Sequence, residues 1–250
     1  MINKFDLWKK AASLRKNLGE DETSPIDILS LAYSIDRLTM VFYPMGDHLS
    51  GMCIKNVNNK IIAINSSMTL GRQHFSMAHE LFHLYYDENL TAICAKNIGL
   101  GNEKENQADH LASYLLMPPN ALTEMIQQIK IDNAKKLTVK DVVKLEQHFR
   151  VSRQAIIYRL IEENEITQQE AELFRLNVIR SAVSFGYDDT LYKPLPSYKQ
   201  NMTYGYYIQQ AEEVFRKGLI SNGKYEELLL SAFRSDLVYG EEIEGKELID

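Results

Sequence analysis

Two histidines four residues apart, with a glutamate directly after the first, stand in the stretch MAHELFH, residues 77–83. On a helix, positions four apart lie one above the other on the same face, so His79 and His83 could point at one ion. Zinc suits imidazole nitrogen, prefers four ligands, and in catalytic sites keeps one position for water. Glu80 would project beside that site, placed to take a proton from zinc-bound water and later pass it to a leaving amine. The bland alternative is a pair of solvent-facing histidines on a surface helix. The flanks argue against it, because Met77, Ala78, Leu81, Phe82 and Leu84 make the segment apolar on several sides. A helix apolar nearly all round is buried, and two buried histidines beside a buried glutamate are costly unless a metal organises them.

A catalytic zinc needs a third protein ligand. The stretch NEKENQADHLASYLLMP, residues 102–118, offers Glu103, Glu105, Asp109 and His110. Glu105 and Asp109 share a helical face, whereas Glu103 lies about 200° around the helix from Glu105. We take Glu105 as the ligand. Asp109 is expected to accept a hydrogen bond from the free ring nitrogen of His79 or His83, since metal-bound histidines nearly always have such a partner. Ala108 and Ala112 would let this helix approach the first closely. The bland alternative for Glu105 is a solvated charge at a charged helix start. Arg72, His74, Tyr85, Tyr86 and His110 are candidate donors to a developing oxyanion, although packing is the commoner role for such aromatics, and none is assigned. His110 is expected to be exposed.

RQHFSMAHELFH followed by ENQADHLASYLLMP resembles the ImmA/IrrE metallopeptidases. Arg72, Phe75, Ala78, His79, Glu80 and His83 match that family's first motif. Glu105, Ala108, Asp109, Ala112, Leu115, Leu116, Met117 and Pro118 match its second. The resemblance extends over about residues 1–175 and puts Glu105 on the third zinc ligand and Glu80 on the catalytic base. It implies a gluzincin-like zinc endopeptidase, of bacterial origin and often encoded on a mobile element. The implied substrate is a helix-turn-helix transcriptional repressor of the phage-repressor type, whose cleavage lifts repression.

The elements that must position these residues follow from pattern. Residues 4–19 and about 25–36 read as helices, the second opened by Pro25. LTMVFYP, LSGMCIK and KIIAINSS are short, rich in β-branched and aromatic residues, and separated by the turn-like MGDH and NVNN. They predict a small three-stranded antiparallel sheet, one of whose edges would take an extended substrate. Helices are expected at about 69–87, 103–117, 120–129, 138–148, 152–163 and across 204–239, with a linker at 88–102 and an acidic tail, 241–250, that frays. The fold class is therefore α+β: a zincin-like, mainly helical domain at 1–130, a helix-turn-helix-like segment at 131–175, and a C-terminal helical region at 176–250.

Composition narrows the rest. The net charge is −6, with 45% hydrophobic and 25% charged residues, which argues against a dedicated nucleic-acid binder. In 137–160, Arg153 and Arg159 are available to a groove, but Glu162, Glu163 and Glu165 follow at once. Direct DNA binding is not expected, and a structural helical pair is favoured. The N-terminus lacks a signal peptide's apolar core, and no apolar run approaches the ~18–20 residues needed to cross a bilayer. Cys53 and Cys94 suit neither a disulfide framework nor zinc-ligand spacing, so the expected compartment is the cytoplasm, and no inhibitory cysteine is evident. The competing function is a DNA-binding or antitoxin-like regulator whose zinc is structural, which would need a closed four-ligand site. Oligomeric state is not legible.

Overall fold

The turn-like separators do divide the chain into three strands, but these do not form a meander. β1 (Leu38–Tyr43), β2 (Leu49–Lys55) and β3 (Lys60–Asn65) form in the predicted stretches. β2 and β3 make an antiparallel hairpin, with Gly51 opposite Ile64. Its turn is closed by Asn56, whose side-chain oxygen accepts from the backbone N–H groups of Asn58 and Asn59 at 2.9 and 2.7 Å. β1, however, pairs with β3 in parallel, from Leu38 opposite Lys60 to Tyr43 opposite Asn65. In this computed structural model, which describes residues 3–88, 91–95, 98–99, 102–132 and 136–240, the sheet has five strands in the order β4-β2-β3-β1-β5.

The expected three-stranded antiparallel sheet is thus corrected to a mixed one, and the cause is local. Residues 44–48 carry the chain across the end of β3 to reach β2. The Asn65 amide holds that crossing, donating to Gly46 O and Leu49 O at 2.7 Å each and accepting from Met45 N at 3.1 Å. The turn residues there serve a crossing as well as a hairpin. β4 (Thr91–Ala95) lies inside the stretch expected to be a linker and pairs antiparallel with β2. β5 (Met202–Gly205) begins the region expected to be helical and pairs antiparallel with β1. Gly205 ends it with φ 85°, and a Cβ there would meet Leu38 O at 2.3 Å, so only glycine fits. The acidic tail 241–250 lies outside the described residues, as do 89–90, 96–97 and 100–101.

α1 spans Lys4–Asn17 and α2 spans Ile28–Tyr33, shorter than expected. Asp27, not Pro25, opens α2, by accepting from Ser30 N at 3.1 Å. α3 (Leu70–Tyr86) is buried at every residue from Gly71 to Leu84, as its all-round apolar flanks require. One side packs on β2 and β3, the other on α4 (Glu103–Leu116), which α1 covers in turn. Ala108 and Ala112 are fully buried in α4. Asn102 caps α4 by accepting from Lys104 N and Glu105 N at 2.9 and 3.0 Å, which fixes where the Glu105 side chain starts.

Beyond α4 come α5 (Pro119–Asp132), α6 (Val139–Phe149), α7 (Arg153–Glu162), α8 (Gln168–Phe174) and α9 (Val178–Ser184). Thr138 and Asp141 form the expected capping box of α6, and Ser152 caps α7. One continuous apolar core runs from Leu7 to Phe174. Arg153 and Arg159, expected to be available for a groove, are 4% and 0% exposed. Arg153 chelates Glu146 through Nε and Nη2 at 2.6 and 2.8 Å, and Arg159 pairs with Glu163 at 2.9 Å and lies over the Tyr114 ring. The described residues end in α10 (Tyr206–Arg216), α11 (Asn222–Ser231) and α12 (Ser235–Tyr239), with Phe215 and Tyr225 stacked at 4.4 Å. Among the described residues no helix is long and apolar enough to cross a membrane.

Candidate metal centre

α3 and α4 bring the predicted residues together. His79 Nε2 lies 3.3 Å from His83 Nε2 and 3.2 Å from Glu105 Oε2, and His83 Nε2 lies 3.5 Å from Glu105 Oε1. The outer ring nitrogens are both engaged: His79 Nδ1 with Asp109 Oδ1 at 2.8 Å, His83 Nδ1 with Asp87 Oδ2 at 3.1 Å. A carboxylate accepts only, so each Nδ1 carries a proton and each Nε2 faces the shared point. Two imidazole nitrogens and a carboxylate then converge on one point, which a proton on His79 Nε2 or a metal cation in its place can hold together.

The electrostatics agree. Burial works against a charge on His79, yet its hydrogen bonds to Asp109 and Glu105, with Glu80 nearby, raise it to about 10. The Glu105 carboxyl is held below its usual range, chiefly by the His79 hydrogen bond. Positive charge is therefore favoured at His79, while burial and that neighbouring charge lower His83, and the nitrogen, carboxylate and thiol donors suit a zinc-like divalent ion. His79, His83, Cys94 and Glu105 each offer one donor atom, all within 4.8 Å of one another.

Glu80 is fully buried beneath β2. A Cβ on Gly51 would come within 2.6 Å of Glu80 Oε1 and 3.1 Å of Ala63 O, so glycine lets the strand pass over this carboxylate without displacing it. Cys94 Sγ lies 3.4 Å from Glu80 Oε2, while Oε1 has no hydrogen-bond partner among the described residues. Burial pushes the Glu80 carboxyl up to about 7, near the range in which a group can both take and give a proton. Burial, with Glu80 and Glu105 close by, also pushes the Cys94 thiol up.

A second tier of contacts braces the cluster. Asp109 Oδ2 accepts from Gly99 N at 2.6 Å. Asp87 Oδ1 pairs with Lys104 Nζ at 2.7 Å, tying the end of α3 to the start of α4. Lys55, from β2, donates to His83 O and Leu84 O at 2.9 and 3.0 Å and to Asp87 O, capping α3 where cations are favoured. Asp87 and Cys94 are the residues that sequence reasoning missed. Asp87 follows His83 by four and could have been found from that spacing. Cys94 comes from a strand that was not foreseen.

The candidate oxyanion donors are mostly committed elsewhere. His74 Nδ1 meets Arg150 O at 2.7 Å, and Tyr86 donates to Lys10 O at 3.0 Å. His110 is not exposed as expected but buried, 3.0 Å from Glu162 Oε2 and facing Tyr114 and Tyr158.

Paired histidines one helical turn apart, a carboxylate from the next helix and a buried glutamate under a sheet strand form a cluster that could hold a metal ion in the pattern of an HExxH motif. The family model described as Peptidase_M78, IrrE N-terminal-like domain, matches residues 39–161, from β1 to α7. Those residues, just under half of the chain, match the ImmA/IrrE type of metallopeptidase. No curated protein matches the chain.

Proposed function

We propose that this protein is a zinc endopeptidase that cuts a helix-turn-helix transcriptional repressor and so relieves repression. The observation that carries the hydrolytic part is the convergence of His79, His83 and Glu105 beside Glu80 Oε1, which has no hydrogen-bond partner among the described residues. His79, His83 and Glu105 would hold the metal, with Asp109 and Asp87 fixing the two rings through Nδ1. A bound zinc ion would supply Lewis acidity, polarising the scissile carbonyl and acidifying a water. Glu80 takes the proton at Oε1 and returns it to the departing amine. Gly51 keeps the backbone of β2 clear of that carboxylate. The repressor as substrate comes from the family resemblance.

The test is Glu80→Gln. The variant should keep one zinc per chain and lose cleavage of the repressor encoded beside the gene by at least ~100-fold, the lower end of general-base contributions. Normal cleavage by the variant would remove Glu80 from the role of base. The second reading, a structural zinc in a regulatory protein, is favoured by one observation, the fourth donor Cys94. It predicts that wild type and Glu80→Gln are equally inert.

A further inference from the structure

Cys94 is the one donor of the cluster that this catalysis does not use. It is 0% exposed, and its Sγ stands with the donor atoms of His79, His83 and Glu105 while also meeting Glu80 Oε2 at 3.4 Å. Three protein ligands leave zinc a position for water, whereas four close it. A thiol in this cluster therefore competes for the place that hydrolysis needs.

The strand that carries it is equally placed. β4 lies antiparallel along β2 with Cys94 opposite Gly51, and Ser50 Oγ donates to Cys94 O at 3.4 Å. Gly51 is the residue that passes over Glu80. An extended peptide presented to Glu80 would gain most by adding to this edge of β2, through main-chain hydrogen bonds that read no sequence. β4 already makes those bonds.

We propose that Cys94 is a fourth protein ligand of the metal and that β4 occupies the substrate edge of β2, holding the peptidase latent until β4 leaves. This inference rests on the metallopeptidase reading above. With a metal bound, opening would be a ligand exchange in which the Cys94 thiolate gives up its place to a water and takes a proton from solvent. No electrons are transferred.

The first experiment uses the full wild-type chain loaded with zinc. X-ray absorption at the zinc edge should show one sulfur neighbour at about 2.3 Å among nitrogen and oxygen neighbours at about 2.0–2.2 Å. Nitrogen and oxygen neighbours alone would overturn the assignment of Cys94. The second compares Cys94→Ala and Cys94→Ser with wild type on fluorescein-labelled casein. Both variants should retain one zinc, lose the sulfur neighbour and cleave severalfold faster, and adding Glu80→Gln should abolish the gain. Loss of sulfur with no faster cleavage would overturn latency. Wild type that binds no zinc, or a gain that survives Glu80→Gln, would instead bring down the metallopeptidase reading beneath it.

Discussion

At the scale of single residues, the centre is a problem in placing protons. Both histidines can face the same point only if their outer nitrogens keep their hydrogens, and Asp109 and Asp87 enforce that. Asp87→Asn would weaken the hold on His83 and leave Lys104 without its partner carboxylate. Zinc affinity should fall about 10–100-fold, measured by competition with a chelator, and unchanged affinity would remove Asp87 from this role. The ligands were legible because their spacing is fixed by the helical repeat: His79, Glu80 and His83 lie within one turn, and Glu105 and Asp109 within another. Cys94 was illegible for the opposite reason. Its place depends on a strand pairing, and no local period records which strand will lie beside which.

Elements decide how closely those residues approach. α3 is wedged between the sheet and α4, and small residues set the gaps: Gly51 on the sheet side, Ala108 and Ala112 on the other. Gly51→Ala would force β2 off Glu80 or turn the carboxylate away. A misplacement of about 1 Å can cost about 100-fold in rate, so kcat should fall by that order with zinc content unchanged. A variant as active as wild type would show that Glu80 tolerates the displacement. Helices were legible because burial on all sides, caps and breakers are written locally, as Asn102, Thr138 and Ser152 show. The three strands were legible too. Their order was not, because the parallel pairing of β1 with β3 depends on Asn65 holding a crossing that begins twenty residues earlier.

Across the whole molecule, buried ion pairs and distant strands join the parts. Glu146 accepts from Arg153 and also from Tyr192 at 2.6 Å, while Arg153 Nη1 reaches Phe174 O at 2.7 Å. One buried cluster thereby binds α6, α7, the end of α8 and the 190–192 turn. Arg153→Met would leave Glu146 buried without its cation and should cost about 3–5 kcal/mol, read by denaturant unfolding. A loss below ~1 kcal/mol would show that Tyr192 suffices. The C-terminal region is likewise more than an appendage, since it supplies β5. Removing 202–250 should lower the thermal midpoint and promote self-association through the bared edge of β1, whereas removing 221–250 takes Phe233 from Tyr43 and Arg234 from Thr203 but keeps the pairing of β1 with β5, and should lower the midpoint less. Equal midpoints for the two truncations would refute this. The pairing of β1 with β5 also has a consequence during synthesis. β1 ends at residue 43 and β5 begins at 202, so at about 5–20 residues per second the outer edge of β1 waits roughly 8–30 s on the ribosome for its partner. Throughout that interval a growing chain displays Val41 and Phe42 beside unpaired backbone, next to sister chains on the same messenger. Yield should therefore depend on how crowded the translating ribosomes are and on whether a chaperone reaches that edge first.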